Sequence, residues 1–438
     1  MTETPSSLRL GIAGLGTVGR GLVRIIEDMA DLLSARAGRR IVIRAVSART
    51  RKRDRGIDLS PYAWCDNPVD LAALDDVDAV VELIGGGDGP ALALARETLG
   101  RGKAFVTANK ALIAAHGATL AALAEKNGAP LRFEAAVAGG IPVIKALREG
   151  LAGNRVGGLY GILNGTCNYI LTRMEEEGLA FDDVLADAQR LGYAEADPTF
   201  DIDGIDTAHK TAILAALAFG CAPDMDAVPC EGIRSIAPVD IDYASELGYR
   251  IKLLGIARKT AKGLETRVYP AMVPLASPLA QVGGALNAVV IAADPVGQTV
   301  YEGFGAGEGP TASAVAADII DIARGLGGPP LGVPAARLET PVSIPREAHE
   351  GRFYMRLRVE DRPGVMADIT AGLARAGVSI ESLLQRGAAL NGGVYVVLTT
   401  HMAVEAAVAE ALTLFRQLDS VLESPTMIRV EGEPETPA

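Results

Sequence analysis

The stretch LRLGIAGLGTVGRGLVRIIEDMADLL, Leu8 to Leu33, decides the fold class. LRLGIAG has the short apolar character of a buried strand, and LGTVGRGLVRIIEDMADLL has apolar residues at helical spacing. Between them Gly14, Gly16 and Gly19 form GLGTVG, where the backbone must turn tightly and approach a pyrophosphate at a helix N-terminus. Thr17 and Val18 are the first helical residues and are expected to line that phosphate. A single GxGxxG is a weak signal; the strand before it and the helix after it strengthen it.

Outward from this unit come further strand-like runs: IVIRAVSA (Ile41 to Ala48), DAVVELIG (Asp78 to Gly85), KAFVTAN (Lys103 to Asn109) and PLRFEAAV (Pro130 to Val137). Helical stretches such as ALALARETLGRG and KALIAAHGATLAALAEKNG separate several of them. Strands alternating with helices imply a parallel sheet covered on both faces, the Rossmann pattern. At the end of the second strand, where an NAD site usually places a carboxylate for the ribose 2′-hydroxyl, the chain reads Ser47-Ala48-Arg49, with Arg51 and Lys52 beyond. A missing carboxylate beside guanidinium groups favours NADP(H), with NAD(H) still open; ordinary solvated loop cations are the alternative.

After Gly139-Gly140-Ile141-Pro142 the order changes to a mixed α+β region, with a strand at VGGLYGILNG and helices around Tyr169–Glu177, Asp182–Leu191 and Thr207–Phe219. GFGAGEGPTASAVAADIIDIA, Gly303 to Ala323, is a glycine-rich turn feeding a helix that returns the chain to the first domain. Pro329 to Gly351 contains five prolines and reads as a linker. Beyond it FYMRLRVED, PGVMADITAGLARAG, VSIESLLQR, VYVVLTTH, VEAAVAEALTLFRQL and PTMIRVEG spell βαββαβ, a ferredoxin-like order. The expected fold is α/β, with a Rossmann-type domain over 1–140 completed by about 303–328. A mixed catalytic and dimerisation domain over 141–302, a linker over 329–351 and a ferredoxin-like unit over 352–432 follow.

The chain's chemistry concentrates in GYAEADPTFDIDGIDTAHK, Gly192 to Lys210. Asp206 and Lys210 stand four apart on a helical run and share a face, an arrangement that suits a proton-donating lysine and equally an ordinary surface ion pair. Glu195, Asp197, Asp201, Asp203 and Asp206 crowd the same stretch, an arrangement that suits binding an ammonium group and equally an acid-rich solvated loop.

Composition narrows the class. In 438 residues, 49% hydrophobic and 22% charged, there is room for two or three globular domains. A net charge of −12 argues against a nucleic-acid surface, the one dense basic run being ARTRKRDRG, Ala48 to Gly56. Four cysteines, Cys65, Cys167, Cys221 and Cys230, show no metal spacing and no disulfide framework, so a reducing cytoplasm is expected. No leader pattern and no membrane-length apolar run is present, so no membrane partner is expected.

These motifs together carry a resemblance. GLGTVG, TANKALIA (Thr107 to Ala114), FEAAVAGGIPVI (Phe133 to Ile144), LNGTCNYIL (Leu163 to Leu171), the Gly192–Lys210 segment and GAGEGPTASAVAAD (Gly305 to Asp318) occur in order, and the chain resembles homoserine dehydrogenase of the monofunctional type with a C-terminal ACT domain. That family interconverts L-homoserine and L-aspartate 4-semialdehyde with NAD(P)(H), on the way to threonine, methionine and isoleucine. The resemblance implies that Lys210 is the proton donor and Lys110 a second active-site lysine near nicotinamide and substrate. It implies that Glu195 and Asp206 orient the substrate amino group, with Asp201 and Thr166 as secondary contacts. It adds Gly307 to the cofactor residues Gly14, Gly16, Thr17, Val18, Gly19, Arg49 and Lys110. A structural monovalent cation, usually sodium, is implied at Glu134, Val137, Gly139 and Ile141. The C-terminal unit, with DRPGVMADI (Asp361 to Ile369) as the loop opening its first helix, looks like an ACT domain, implying a threonine effector, and such enzymes are expected to be homodimers or homotetramers. From the residues alone, a dehydrogenase for another amino acid or semialdehyde, or a non-catalytic cofactor-binding sensor, stays open.

Overall fold

Six short strands build the first layer, and their runs of consecutive buried apolar residues suit a sheet covered on both faces. They are β1 (Ser7–Ala13), β2 (Arg40–Ser47), β3 (Ala63–Trp64), β4 (Ala79–Glu82), β5 (Ala104–Thr107) and β6 (Leu131–Arg132). All pair in parallel in the order β3-β2-β1-β4-β5-β6, so the winding reverses between β1 and β4. One face packs Leu10, Ile12, Val81 and Val106 against Leu22, Val23 and Ile26 of α1 (Thr17–Asp28). The other packs Val80 and Phe105 against Leu112 and Leu120 of α2 (Lys110–Asn127). The computed structural model describes residues 7–388 and 392–436.

PLRFEAAV is a strand only at Leu131–Arg132; Glu134–Ala136 is a short 3-10 turn. The cause is Glu134, whose buried carboxylate turns back to accept the backbone N–H groups of Ile144 (3.0 Å) and Lys145 (2.8 Å).

The second sheet begins with β7 (Arg155–Ile162), β8 (Tyr249–Thr260), β9 (Gly263–Pro274), β10 (Leu286–Asp294) and β11 (Gly297–Phe304). Helices α3 (Gly165–Glu177) and α4 (Ile205–Phe219) lie between β7 and β8 in the chain. Helix α5 (Glu308–Ala323) then returns to the first layer, its Glu308 bonded to Arg24 of α1 at 2.7 Å. The C-terminal unit contributes β12 (Glu350–Val359), α6 (Val365–Ala376), β13 (Ile380–Ala388), β14 (Val394–Thr400), the short β15 (Ala403–Val404), α7 (Glu405–Phe415) and β16 (Thr426–Val430).

Strand order shows what local patterning did not convey. The sheet runs β11-β10-β7-β8-β9-β16-β12-β14-β13, so the C-terminal unit continues the middle region's sheet through a parallel β9–β16 contact, Arg429 beside Ala271 and Val430 beside Met272. The proline-rich segment before β12 is strapped along β9: Leu264 N donates to Val342 O (2.9 Å) and Ile344 N to Leu264 O (3.1 Å). Proline content reports the lack of regular structure, not the lack of contacts. Among the described residues no helix is long and apolar enough to cross a membrane.

Candidate active site

The crevice opens where the winding reverses, at the C-terminal ends of β1 and β4, the place where open α/β sheets bind ligands. Each glycine of GLGTVG has a distinct task there. Gly14 has φ +100°, and a Cβ on it would lie 2.4 Å from Leu83 O. A Cβ on Gly19 would lie 2.1 Å from Gly14 O, so helix and turn can touch only without one. A Cβ on Gly16 would meet nothing within 4 Å, and Gly16 and Thr17 are exposed, leaving a cradle of the kind a pyrophosphate fills. Gly307, φ +119°, opens α5.

Arg49 and Lys52 are exposed beyond β2. Arg55 is buried instead: it donates to Thr50 O (2.6 Å) and Arg53 O (2.8 Å) and lies, like Arg51, 5.8 Å from the Trp64 ring centroid. It curls the basic loop rather than offering a free cation to a ligand.

At the end of β4 the fully buried Glu82 ties two loops together. Its carboxylate accepts N–H bonds from Ile84 (2.6 Å) and Gly85 (3.0 Å) and the Thr107 hydroxyl (2.6 Å). Asn109 donates to Gly86 O (2.7 Å) while its Oδ1 caps α2 at Leu112 N (3.1 Å). These bonds fix Lys110 as the first residue of α2, where the helix dipole disfavours a cation. Asp206 compensates, with Oδ1 3.0 Å from Lys110 Nζ. The Phe200 ring stands 5.4 Å from the same ammonium.

Asp206, in the first turn of α4, is buried and joins both lysines. Its Oδ2 accepts from Lys210 Nζ (2.7 Å) and from Asn164 Nδ2 (2.9 Å). Burial alone raises its carboxyl, but Lys210 and then Lys110 outweigh that and hold it well below the carboxylate range. Lys210 also donates to Leu163 O (2.6 Å), leaving one of its three N–H groups for a substrate oxygen. Asp201 accepts from Asn164 Nδ2 at 2.8 Å; burial raises its carboxyl above the usual value against that hydrogen bond.

The structure thus gathers Lys110, Lys210, Asp201 and Asp206. It leaves Glu195 exposed, its side chain without a hydrogen bond or ion pair among the described residues, and commits the Thr166 hydroxyl to Tyr193 O at 2.8 Å. Thr166 therefore anchors the loop that carries Glu195. Sequence reading missed Glu82, Asn109 and Asn164. Their signals were a carboxylate inside an apolar strand and an asparagine just before each of two helices.

The proposed cation loop has Ala138 at φ +56° and Gly139 at φ +46°. Among the described residues the buried carbonyls of Val137 and Gly139 accept no hydrogen bond, as a hard cation requires of its ligands, whereas Ile141 O accepts from Val143 N (2.8 Å). The residues fit such an ion in part.

Comparison with known proteins follows the same lines. Residues 14–134 match the family model described as homoserine dehydrogenase, NAD binding domain, residues 142–320 that of homoserine dehydrogenase, and residues 353–419 that of the ACT domain. The homoserine dehydrogenase of Neisseria gonorrhoeae is 47% identical over 431 residues, spanning 97% of this chain and 99% of that protein. The chain belongs to the homoserine dehydrogenase family. The homoserine dehydrogenase of Pseudomonas aeruginosa is 44% identical, again over 97% of this chain and 99% of that one. The crystal structure of a homoserine dehydrogenase from Thiobacillus denitrificans superposes with a TM-score of 0.92 at 44% identity, covering 97% of this chain and 98% of that one. A hyperthermophilic archaeal homoserine dehydrogenase in complex with NADPH aligns at TM-score 0.63 and 28% identity over 72% of this chain and 97% of that one. The enzyme is an oxidoreductase with an NAD(P)-binding domain, and its α/β architecture of Rossmann-type, mixed and ACT regions agrees with the sequence reading.

Proposed function

We propose that the enzyme interconverts L-aspartate 4-semialdehyde and L-homoserine with Lys210 as proton donor, in the biosynthesis of threonine, methionine and isoleucine in the cytoplasm. The observation that carries this reading is one buried carboxylate, Asp206, held between two lysines at 2.7 and 3.0 Å. A nicotinamide cofactor seated along GLGTVG supplies the hydride. As negative charge grows on the substrate's C4 oxygen, the free N–H of Lys210 meets it and passes a proton to it, leaving a hydroxyl. Such an acid contributes about 10²–10⁴-fold. Lys110 adds a second positive charge near that oxygen. Asp201, Asp206 and Glu195 receive the substrate ammonium, Glu195 once its loop, anchored through Thr166, closes.

Arg49, with Arg51 and Lys52 beyond it, favours NADP(H). Glu134, Val137, Gly139 and Ile141 would hold a sodium ion that braces the loop before α5. The ACT unit takes threonine; a cavity of about 410 Å³ lined by Asp361, Arg362, Gly364 and Gln385 supports an amino-acid effector there. The divisions 1–140 with 303–328, 141–302, 329–351 and 352–432 belong to this proposal, with 329–351 a strap along β9 in place of a free linker. So does a homodimer or homotetramer, supported by exposed Val300 and Phe304 on the edge strand β11.

Nicotinamide absorbance tests the whole: homoserine with NADP⁺, then NAD⁺, each with and without threonine. Turnover with the larger kcat/KM for NADP⁺ and inhibition by threonine is expected. Cofactor binding without homoserine turnover would refute the catalytic reading, and equal cofactor use or threonine indifference would refute those parts separately.

A further inference from the structure

Asn164 occupies the junction of β7 and α3, and its side chain uses every hydrogen-bonding group it needs to join three elements. Its Oδ1 accepts the N–H of Cys167 at 2.8 Å, which caps α3 and fixes which way the amide points. Both hydrogens of Nδ2 then face the active site, one to Asp201 Oδ1 at 2.8 Å and one to Asp206 Oδ2 at 2.9 Å. The residue is buried, so these bonds are not shared with bulk water. The preceding residue completes the arrangement, since Leu163 O takes one N–H of Lys210. The Leu163–Asn164 pair therefore addresses both the ammonium and the two acids.

Capping alone does not explain an asparagine here. Serine, aspartate and asparagine cap helices about equally, because the cap needs only an acceptor oxygen. Two donors in one planar amide are what the acids require, and only Asn among these residues supplies them. Two carboxylates bonded to one nitrogen, Asp206 buried and Asp201 half-buried, repel each other; a neutral amide bridging them fixes their spacing without adding charge.

We infer that Asn164 is a positioning residue of the reaction, holding Asp201 and Asp206 at the spacing that receives the substrate's ammonium group. This rests on the reading of those two acids as the ammonium site.

The test compares Asn164→Ser, Asn164→Asp and Asp201→Asn with the full-length wild type, measuring kcat and KM for homoserine, cofactor affinity by fluorescence titration and the melting temperature. Asn164→Ser keeps a capping oxygen and loses the double donor. It should fold and bind cofactor as the wild type does while kcat/KM falls about 10²-fold, mostly through KM. Asn164→Asp keeps the cap and adds charge, and should lose at least as much. An Asn164→Ser enzyme with wild-type kinetics overturns the inference. So does one whose melting temperature, cofactor binding and turnover fall together, since that is loss of the cap. If Asp201→Asn leaves homoserine KM unchanged, the ammonium-site reading itself fails. If Asp201→Asn is impaired and Asn164→Ser is not, only the role of Asn164 falls.

Discussion

Two of this molecule's charge clusters, at the active site and at the junction with the ACT unit, are built to opposite ends. At the active site four charged side chains meet, and two of their groups are left incomplete: Lys210 keeps a free N–H, and Lys110 is a third exposed. Between the β8–β9 hairpin and the ACT unit the cluster is closed. Glu265 is gripped by Arg258, by Arg267 at 2.6 Å and by His349 at 2.8 Å. Glu431 accepts from Tyr269 (2.5 Å), Tyr160 (3.2 Å) and Arg258 (3.3 Å). Arg429 spans Glu405 and Glu231 and stacks over the Tyr269 ring at 4.4 Å. Charge that is to act on a ligand keeps unsatisfied valence toward the crevice. Charge that holds β16 against β9 is paired with opposite charge within the protein, because a buried charge deprived of its partner is costly.

The sharpest way to break this contrast is Asp206→Asn. Removing the shared counter-charge lets the two lysines repel and misplaces the proton donor, so kcat/KM should fall by about 10²-fold or more. Steady-state kinetics on folded protein checks it. Arg429→Met strikes the closed cluster and leaves Glu405 and Glu231 only the half-exposed Arg346 as a shared cation. A stability loss of about 1–3 kcal/mol is expected in denaturant unfolding, with little change in kcat per folded molecule.

Acid sharpens the comparison further. Burial raises the Glu265 carboxyl, but the His349 hydrogen bond and the charges of Arg258 and Arg267 outweigh it and depress it below its ordinary value. A depressed carboxyl contributes stability above its unfolded value, about 4, and loses it as pH falls through the folded value. The stability gap between wild type and Glu265→Gln should therefore be widest above about pH 5 and narrow on acidification, as unfolding midpoints across that range would record. The smallest effect expected is at the basic loop. Arg49→Ser should raise KM for NADP⁺ about tenfold, the worth of one charge-assisted hydrogen bond, and leave NAD⁺ unchanged.

Local rules reached far into this structure where chemistry and sequence neighbours coincide. GLGTVG, TANK and the Asp206–Lys210 turn were legible because each places its groups within one turn of chain. PLRFEAAV misled because its apolar pattern is that of a strand, whereas Glu134 takes its partners ten residues on, at Ile144 and Lys145. The β9–β16 junction and the closed charge cluster were invisible for the same reason: Glu265 and His349 lie 84 positions apart, and nothing in either neighbourhood announces the other. Asn164 was passed over because its capping role is local and its bridging role is not.

Single-turnover reduction of L-aspartate 4-semialdehyde by Lys210→Ala, with cofactor affinity measured on the same sample, tests the central claim most directly. Wild-type cofactor binding with hydride transfer slowed by about 10²–10⁴-fold is the predicted result. Hydride transfer at the wild-type rate would contradict it and move the proton donor to another residue.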